Sequence, residues 1–229
     1  MKKNRGFTLI EVSLVLLIVA LTLSSLLFPL GTKLEQKSID ESKIKIKELK
    51  RSVLNFVMSN YRLPCPDIDF DGREDLSGTN CTNVNGSIPY VTLRSPHSQD
   101  PWGQLFAYRV SAQLADTNNI NACGVAPPNV SIAVCSADPA FAEGEINVFS
   151  YDDLGAPQPA AIGVAAIILS TGRNTGATGD AQVENMDNDT DFAKTNYGGT
   201  NASVPFNDIV AWIAVNELIA ELIHSEVLP

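Results

Sequence analysis

The sequence predicts an α+β protein in which a long N-terminal hydrophobic helix forms a spine and a small antiparallel sheet forms a globular head. Three observations support this prediction. An apolar run covers Phe7 to Leu30 with a single charged residue inside it. An amphipathic helical pattern then extends to about residue 61. From residue 62 onward, short β-type runs alternate with turns rich in Gly, Pro, Asn and Asp.

Residues 1–31 predict a leader peptide followed by a membrane anchor. Residues 1–6 form a short basic segment, which we interpret as the leader peptide. Residues 7–31 form an apolar segment that exceeds the roughly 20 residues needed to span a bilayer as a helix. Because the basic residues precede this segment, the positive-inside rule predicts a single-pass protein with a cytoplasmic N-terminus. The apolar run is also longer than the core of a secretory signal peptide.

Glu11 is the one charged residue of the apolar segment. A carboxylate at the centre of a spanning helix costs on the order of 2.5 to 3.5 kcal/mol, so it needs a reason to be there. In one interpretation, Glu11 lies near the start of the helix and reaches the membrane interface. In the other, it pairs with a positive group of another chain, such as the α-amino group that cleavage before Phe7 would create.

The stretch Gly6-Phe7-Thr8-Leu9-Ile10-Glu11-Val12, behind a Lys/Arg leader, resembles the signal of type IV pilins and type II secretion pseudopilins. The resemblance implies that a prepilin peptidase cuts between Gly6 and Phe7 and methylates Phe7, and that Glu11 guides assembly. It implies a pilin-like fold, a place in the bacterial inner membrane with a periplasmic head, and other pilin or pseudopilin subunits as partners. The expected function is a structural subunit of a pilus or pseudopilus. The alternative is a minor tip subunit or a membrane-tethered, calcium-stabilised adhesin.

Residues 32–61 are predicted to form an amphipathic neck helix. Apolar residues recur there every seven positions, at Ile39, Ile46 and Val53. The helix should end at Leu63-Pro64-Cys65-Pro66, because proline breaks the hydrogen-bond ladder of a helix. The neck is also basic between residues 33 and 51. That basic face is open to three interpretations: a solvated surface, a contact with anionic head groups, or a contact with the acidic heads of neighbouring subunits.

Residues 62–229 should form an acidic head, periplasmic or extracellular, with an antiparallel sheet packed on the neck helix. A helix, or a strand followed by a helix, is expected from Asp208 to about Ser225. Asp100-Pro101-Trp102-Gly103 resembles the turn before a sheet strand of pseudopilins. The predicted strands are Ser87–Leu93, Gln104–Val110, Val130–Val134, Ile146–Tyr151 and Val164–Leu169.

The head contains four cysteines, Cys65, Cys81, Cys123 and Cys135. Beyond the membrane they would meet an oxidising compartment, which favours structural disulfides over free thiols. Four cysteines allow three pairings, and proximity in sequence favours Cys65 with Cys81 and Cys123 with Cys135.

An acidic loop between the first two cysteines suggests a calcium site. Asp67, Asp69, Asp71 and Asp75 alternate around Gly72 as in the first half of an EF-hand loop, although Gly78 stands where the bidentate glutamate belongs. Glu74 or Asp75 would have to serve as the late ligand. A second acidic patch resembles the calcium region of major pseudopilins. The alternative for both is a solubilising loop. The second patch comprises Glu184, Asp187, Asp189 and Asp191.

Charge and motif content disfavour other classes of function. A net charge of −10 argues against a nucleic-acid partner, which requires clustered positive charge. The two histidines, His97 and His224, are far apart in sequence, so a histidine-based transition-metal site is not expected. Nucleophile-elbow, Walker and dinucleotide-binding motifs are absent from the sequence, so we predict that the protein is not an enzyme.

Overall fold

The computed structural model describes residues 8–60, 62–115, 145–151, 157–173, 184–194 and 208–224. The chain divides into two compact units, Met1–Asp40 and Glu41–Pro229. Helix α1 (Leu9–Asn60) has residues in both units and is 52 residues long. The predicted helix from Phe7 to about Tyr61 is therefore observed to within two residues at each end.

The part of α1 that belongs to the second unit buries the predicted apolar stripe. Ile46, Leu49, Val53 and Val57 are each at most 3% exposed. Their spacing of three and four residues places them on one face of the helix, where they join the core. Lys50 adds a polar link, since its Nζ donates to the carbonyl of Trp212 at 2.8 Å.

Eight strands form two sheets among the described residues. A six-stranded sheet has the order β3-β4-β6-β5-β7, with β8 also paired to β6, and β1 and β2 form a separate hairpin. All of these pairs are antiparallel except that of β5 with β7, which is parallel and so departs from the all-antiparallel expectation. The strands are β1 (Leu76–Ser77), β2 (Asn80–Cys81), β3 (Asn85–Ser87), β4 (Ala107–Val110), β5 (Ile146–Tyr151), β6 (Pro157–Ser170), β7 (Asp191–Lys194) and β8 (Ile209–Ala214).

Strand β6 is the central strand of the larger sheet. It pairs with β4, β5 and β8, and every residue from Gly163 to Ser170 is buried. A strand covered on both faces is apolar throughout rather than alternating, as its sequence is here. The predicted strand Val164–Leu169 is the buried half of this longer strand.

Most of the other predicted elements are found, with one clear error. Ile146–Tyr151 is confirmed as β5, and Gln104–Val110 contains β4. The prediction of a strand at Ser87–Leu93 was wrong beyond Ser87, because Pro89 cannot donate to a ladder and the chain turns back, with Leu93 N bonded to Pro89 O. Val130–Val134 lies outside the described residues.

The C-terminal part of the chain is a strand followed by a helix, the second of the two predicted arrangements. β8 leads directly into α3 (Val215–His224), and a short helix α2 (Ala112–Ala115) follows β4. The α3 carboxylate of Glu217 lies 2.7 Å from Lys50 Nζ, so this ion pair joins α3 to α1 within the second unit.

Candidate functional site

Helix α1 begins with a capping box formed by Thr8 and Glu11. The backbone N–H of Thr8 donates to Glu11 Oε2 at 3.5 Å, and the backbone N–H of Glu11 donates to Thr8 Oγ1 at 3.4 Å. Both contacts are long, yet they are the reciprocal pair that satisfies free donors at a helix start. The carboxylate also lies where the helix dipole favours negative charge. Gly6 and Phe7 lie outside the described residues.

The first turns of α1 expose a continuous apolar surface. Leu9 is 90% exposed, Ile10 77% and Leu16 63%, and the other large apolar side chains as far as Leu23 are similarly uncovered. An exposed apolar surface of this size is typical of a site that contacts lipid or another protein. Within the part of the chain that the structure describes, no helix is both long enough and apolar enough to cross a membrane.

The acidic loop of the head is built around the buried side chain of Asp67. Its backbone pairs with Ser87 in both directions, at 2.9 and 2.8 Å. Its Oδ1 and Oδ2 accept the N–H groups of Phe70 and Gly72, both at 2.8 Å. Burial raises the pKa of Asp67, and the two hydrogen bonds, which favour the carboxylate, oppose that shift. The loop is therefore ordered by its own carboxylate.

Gly72 is required at its position in this loop. Its φ is +85°, a conformation that L side chains rarely adopt, and an added Cβ would lie 2.6 Å from atoms of Tyr90 and Val91. Phe70 has a φ of 66° despite its side chain. The loop therefore makes a sharp turn on both sides of Asp71.

Three of the four predicted cation ligands are brought together. One carboxylate oxygen from each of Asp67, Asp69 and Asp71 lies within 4.8 Å of the others. Such a set of oxygen donors suits a hard cation such as Ca²⁺. Asp75 is not part of this group, and its Oδ2 accepts the N–H groups of Ile68 and Asp69 at 2.6 and 3.4 Å.

Glu74, one of the two late ligands that the sequence suggested, is engaged in an ion pair with Arg62. Its two oxygens accept bonds from both terminal nitrogens of Arg62, at 2.7 and 2.8 Å, and one of them also accepts the N–H of Cys65 at 3.1 Å. Glu74 and Arg62 therefore form a two-bond ion pair with a structural role. The three aspartates thus fit a cation only in part, and further ligands would have to come from solvent or from backbone oxygens.

A disulfide closes the acidic loop. Cys65 and Cys81 are bonded, with their Cα atoms 5.3 Å apart, as their proximity in sequence predicted. Cys123 and Cys135 lie outside the described residues, so their pairing stays a prediction.

The second acidic patch lies beside a buried arginine that sequence reasoning missed. Arg109 is 8% exposed, and its Nη1 donates to the carbonyl of Asn188 at 3.0 Å. Burial lowers the pKa of Arg109, while the negative charges of Asp189, Glu145 and Asp187 oppose that shift. The sequence of β4 gave no sign that Arg109 would be buried. Arg109 stands between two apolar neighbours, and alternation in a strand would place it on the face opposite to theirs.

Glu184 is the carboxylate of the second patch that its surroundings make harder to ionise. Burial raises the pKa of Glu184, and the charges of Asp189, Asp187 and Asp191 raise it further. Their oxygens do not gather into a compact ligand set among the described residues, where only Asp67, Asp69 and Asp71 do so. The patch is therefore a cluster of repelling charges with Arg109 as a partial counter-charge.

Comparison with known proteins identifies the N-terminal segment. Residues 1–27 match the model of the prokaryotic N-terminal methylation motif, so the chain carries the type IV pilin and pseudopilin signal. This motif implies processing by a prepilin peptidase and assembly with other pilins. No curated protein and no solved structure matches the chain significantly.

Proposed function

We propose that the chain is a pilin-like structural subunit of a type IV pilus or a type II secretion pseudopilus. In this proposal residues 1–6 are removed by the prepilin peptidase between Gly6 and Phe7, and Phe7 is methylated. Residues 7–31 anchor the subunit in the bacterial inner membrane, residues 32–61 form its neck, and residues 62–229 form a periplasmic head. The match of residues 1–27 to the methylation motif is the observation that carries the proposal.

The exposed start of α1 supports an assembly role for this helix. Its large apolar side chains between Leu9 and Leu23 are 45% to 90% exposed in the isolated chain, and lipid or a neighbouring helix would remove them from water. Subunits that leave the membrane can keep this surface covered by packing their helices together. The work of such a protein is mechanical rather than enzymatic.

Mass spectrometry of the N-terminus tests the processing step. The chain is purified from native membranes of cells with and without the prepilin peptidase. We expect a mature chain beginning with methylated Phe7 in the first case and an unprocessed chain in the second. A chain that begins at Met1 in both strains would overturn the proposal.

Glu11→Gln separates the charge of Glu11 from its capping role. Glutamine also caps in this motif, so the helix start is retained while the negative charge is lost. We expect normal processing but strongly reduced assembly into fibres, measured by electron microscopy and by sedimentation of sheared fibres. Glu221→Gln, on the exposed face of α3, is the matched control and should assemble normally. Normal assembly of Glu11→Gln would show that the charge has no part in it.

The three-aspartate cluster favours a second candidate, a minor tip subunit or tethered adhesin whose head is stabilised by calcium. Calcium would be held by Asp67, Asp69 and Asp71 and would neutralise their mutual repulsion. The test is the thermal unfolding of the full chain after EDTA treatment and again with added CaCl₂. We expect a rise in Tm that Asp69→Asn with Asp71→Asn abolishes, and an unchanged Tm would remove this candidate.

A further inference from the structure

An unpaired basic ridge runs along α1 in the second unit. We define it as Lys43, Lys47 and Arg51, which are spaced four residues apart, share one helix face and are exposed. Among the described residues none of them has an ion pair, whereas the neighbouring Lys45 and Lys50 pair with Glu41 and Glu217. Like charges at this spacing repel, so a negative partner would relieve the repulsion within the ridge.

An exposed apolar side chain lies beside the basic ridge. Ile44 precedes Lys47 by three residues, a spacing that makes the two neighbours on the helix surface, and it is 58% exposed. An exposed isoleucine on a charged helix face offers the apolar contact that an interface places between its charges. The ridge therefore has one exposed apolar group beside its positive charges.

The opposite pattern occurs at the tip of the acidic loop, which we call the Phe70 knob (residues 69–71). Phe70 is 67% exposed, and Asp69 and Asp71 on either side are exposed as well. The carboxylate of Asp67 holds the backbone of Phe70 in place. Since the knob is ordered before it meets a partner, little conformational freedom would be lost on docking.

We propose that the Phe70 knob of one copy docks on the basic ridge of a second copy of this chain. Phe70 would pack against Ile44, while Asp69 and Asp71 would face the lysines and arginine of the ridge. This inference rests on the proposed function, because it names a contact between assembled subunits. Among the described residues, no hydrogen bond or ion pair joins the two patches within one chain.

The two patches are different surfaces of the same molecule, so the contact between them is heterologous. A heterologous contact repeats from copy to copy and generates a ring or an open helical filament rather than a closed dimer. Charge complementarity would also fix which copies meet and in which register. An open filament is what a pilus-like subunit must form.

Cross-linking of mixed isotopes tests the contact. Full-length chains labelled with ¹⁴N or ¹⁵N are assembled together in EDTA, so that no divalent cation occupies the aspartates. A zero-length carbodiimide reagent then joins lysines to carboxylates that touch. We expect linked peptides in which Lys43 or Lys47 of one isotope is joined to Asp69 or Asp71 of the other. Assembled fibres without such mixed links would overturn the docking proposal.

Two substitutions sharpen the test. Lys47→Glu should reduce the mixed links at Lys43 about tenfold, which is the loss expected for one strong interface residue. Arg94→Glu is the control: it changes the net charge equally at an exposed position elsewhere, and it should leave the mixed links unchanged. Phe70→Asn should have a similar effect, since asparagine tolerates the positive φ and keeps the loop. Links unchanged by both variants would contradict the docking model.

A charge swap provides the rescue. Copies carrying Lys43→Glu and Lys47→Glu should assemble poorly on their own. Assembly should be restored when they are mixed with copies carrying Asp69→Lys and Asp71→Lys. Should Lys43→Glu with Lys47→Glu instead abolish binding to phosphatidylglycerol vesicles and leave the fibres intact, the ridge would be a lipid contact and the docking proposal would be wrong. Wild-type chains that are processed and assemble keep the proposed function valid in either case.

Discussion

The guanidinium of Arg62 and the carboxylate of Glu74 form a two-bond ion pair that fastens the acidic loop to the end of the neck helix. The two bonds measure 2.7 and 2.8 Å, and the side chains are 13% and 15% exposed. Glu74 also accepts the N–H of Cys65. One carboxylate from inside the disulfide-closed loop therefore holds the chain at Arg62 and Cys65, where the loop begins.

Glu74→Gln should destabilise the protein by about 2 kcal/mol, because it removes one charge of a mostly buried pair and leaves the other without compensation. Urea unfolding of the full chain measures this change. Glu221→Gln alters the same chemistry at an exposed site and should change the stability by less than about 0.5 kcal/mol. Equal midpoints for the two variants would contradict a structural role for Glu74.

Loss of the disulfide should cost about 3 kcal/mol, because Cys65 and Cys81 close a loop of 16 residues in sequence separation. We expect Cys65→Ser with Cys81→Ser to unfold at lower urea concentration than the parent. The comparison is made under non-reducing conditions, so that the state of Cys123 and Cys135 is the same in both proteins. A parent chain whose stability dithiothreitol leaves unchanged would contradict a stabilising disulfide.

Features that depend on local sequence were predictable. Three features could be read from neighbouring residues alone. They are the β-type run from Ile146 to Tyr151, the periodic apolar stripe of α1 and the pairing of Cys65 with Cys81, which are close in sequence. The cluster of three aspartates was also predictable, because alternation around a glycine brings carboxylates together within one loop.

Features that depend on distant residues were not. Sequence cannot show that Glu74 pairs with Arg62 rather than with a cation, because both choices satisfy the same carboxylate. The parallel pairing of β5 with β7 is set by a connection of more than thirty residues, which carries no register signal of its own. Asn185 likewise gave no sign in its turn-rich surroundings that it would be buried.

Asn185 is a buried joint between the second acidic patch and the sheet. Its amide nitrogen donates to Ala193 O at 3.1 Å and to Asp208 Oδ2 at 2.8 Å, and its oxygen accepts the N–H of Ala193 at 2.8 Å. Asn185→Ala should cost about 2 to 3 kcal/mol, since it leaves buried polar groups without these bonds.

The exposed Asn55 on α1 is the matched control for Asn185, and Asn55→Ala should change the urea midpoint little. Should Asn185→Ala unfold at the same midpoint as Asn55→Ala, the three bonds would contribute nothing to stability. Hydrogen exchange of the Ala193 amide gives a second readout, and its protection should fall in Asn185→Ala.

The stability of the second acidic patch should depend on pH through Glu184. Burial and the neighbouring aspartates raise the pKa of Glu184 in the folded protein above its value in the unfolded chain. The folded state therefore binds this proton more tightly. Protonation of Glu184 therefore contributes to the free energy of unfolding, and this contribution is fully present below the pKa of Glu184 in the unfolded chain. It is lost as the pH rises through the higher pKa of Glu184 in the folded protein.

Glu184→Gln removes this titration while keeping the size of the side chain. At pH 7 we expect the variant to be more stable than the parent, by less than about 1 kcal/mol because the group is only partly buried. Below the unfolded pKa of a glutamate, near pH 4, the parent becomes neutral as well, so the difference should shrink toward zero. Urea unfolding at both pH values measures the two differences. A Glu184→Gln advantage that grows toward acid would mean that Glu184 is held as a carboxylate by a favourable partner, opposite to the repulsion argued here.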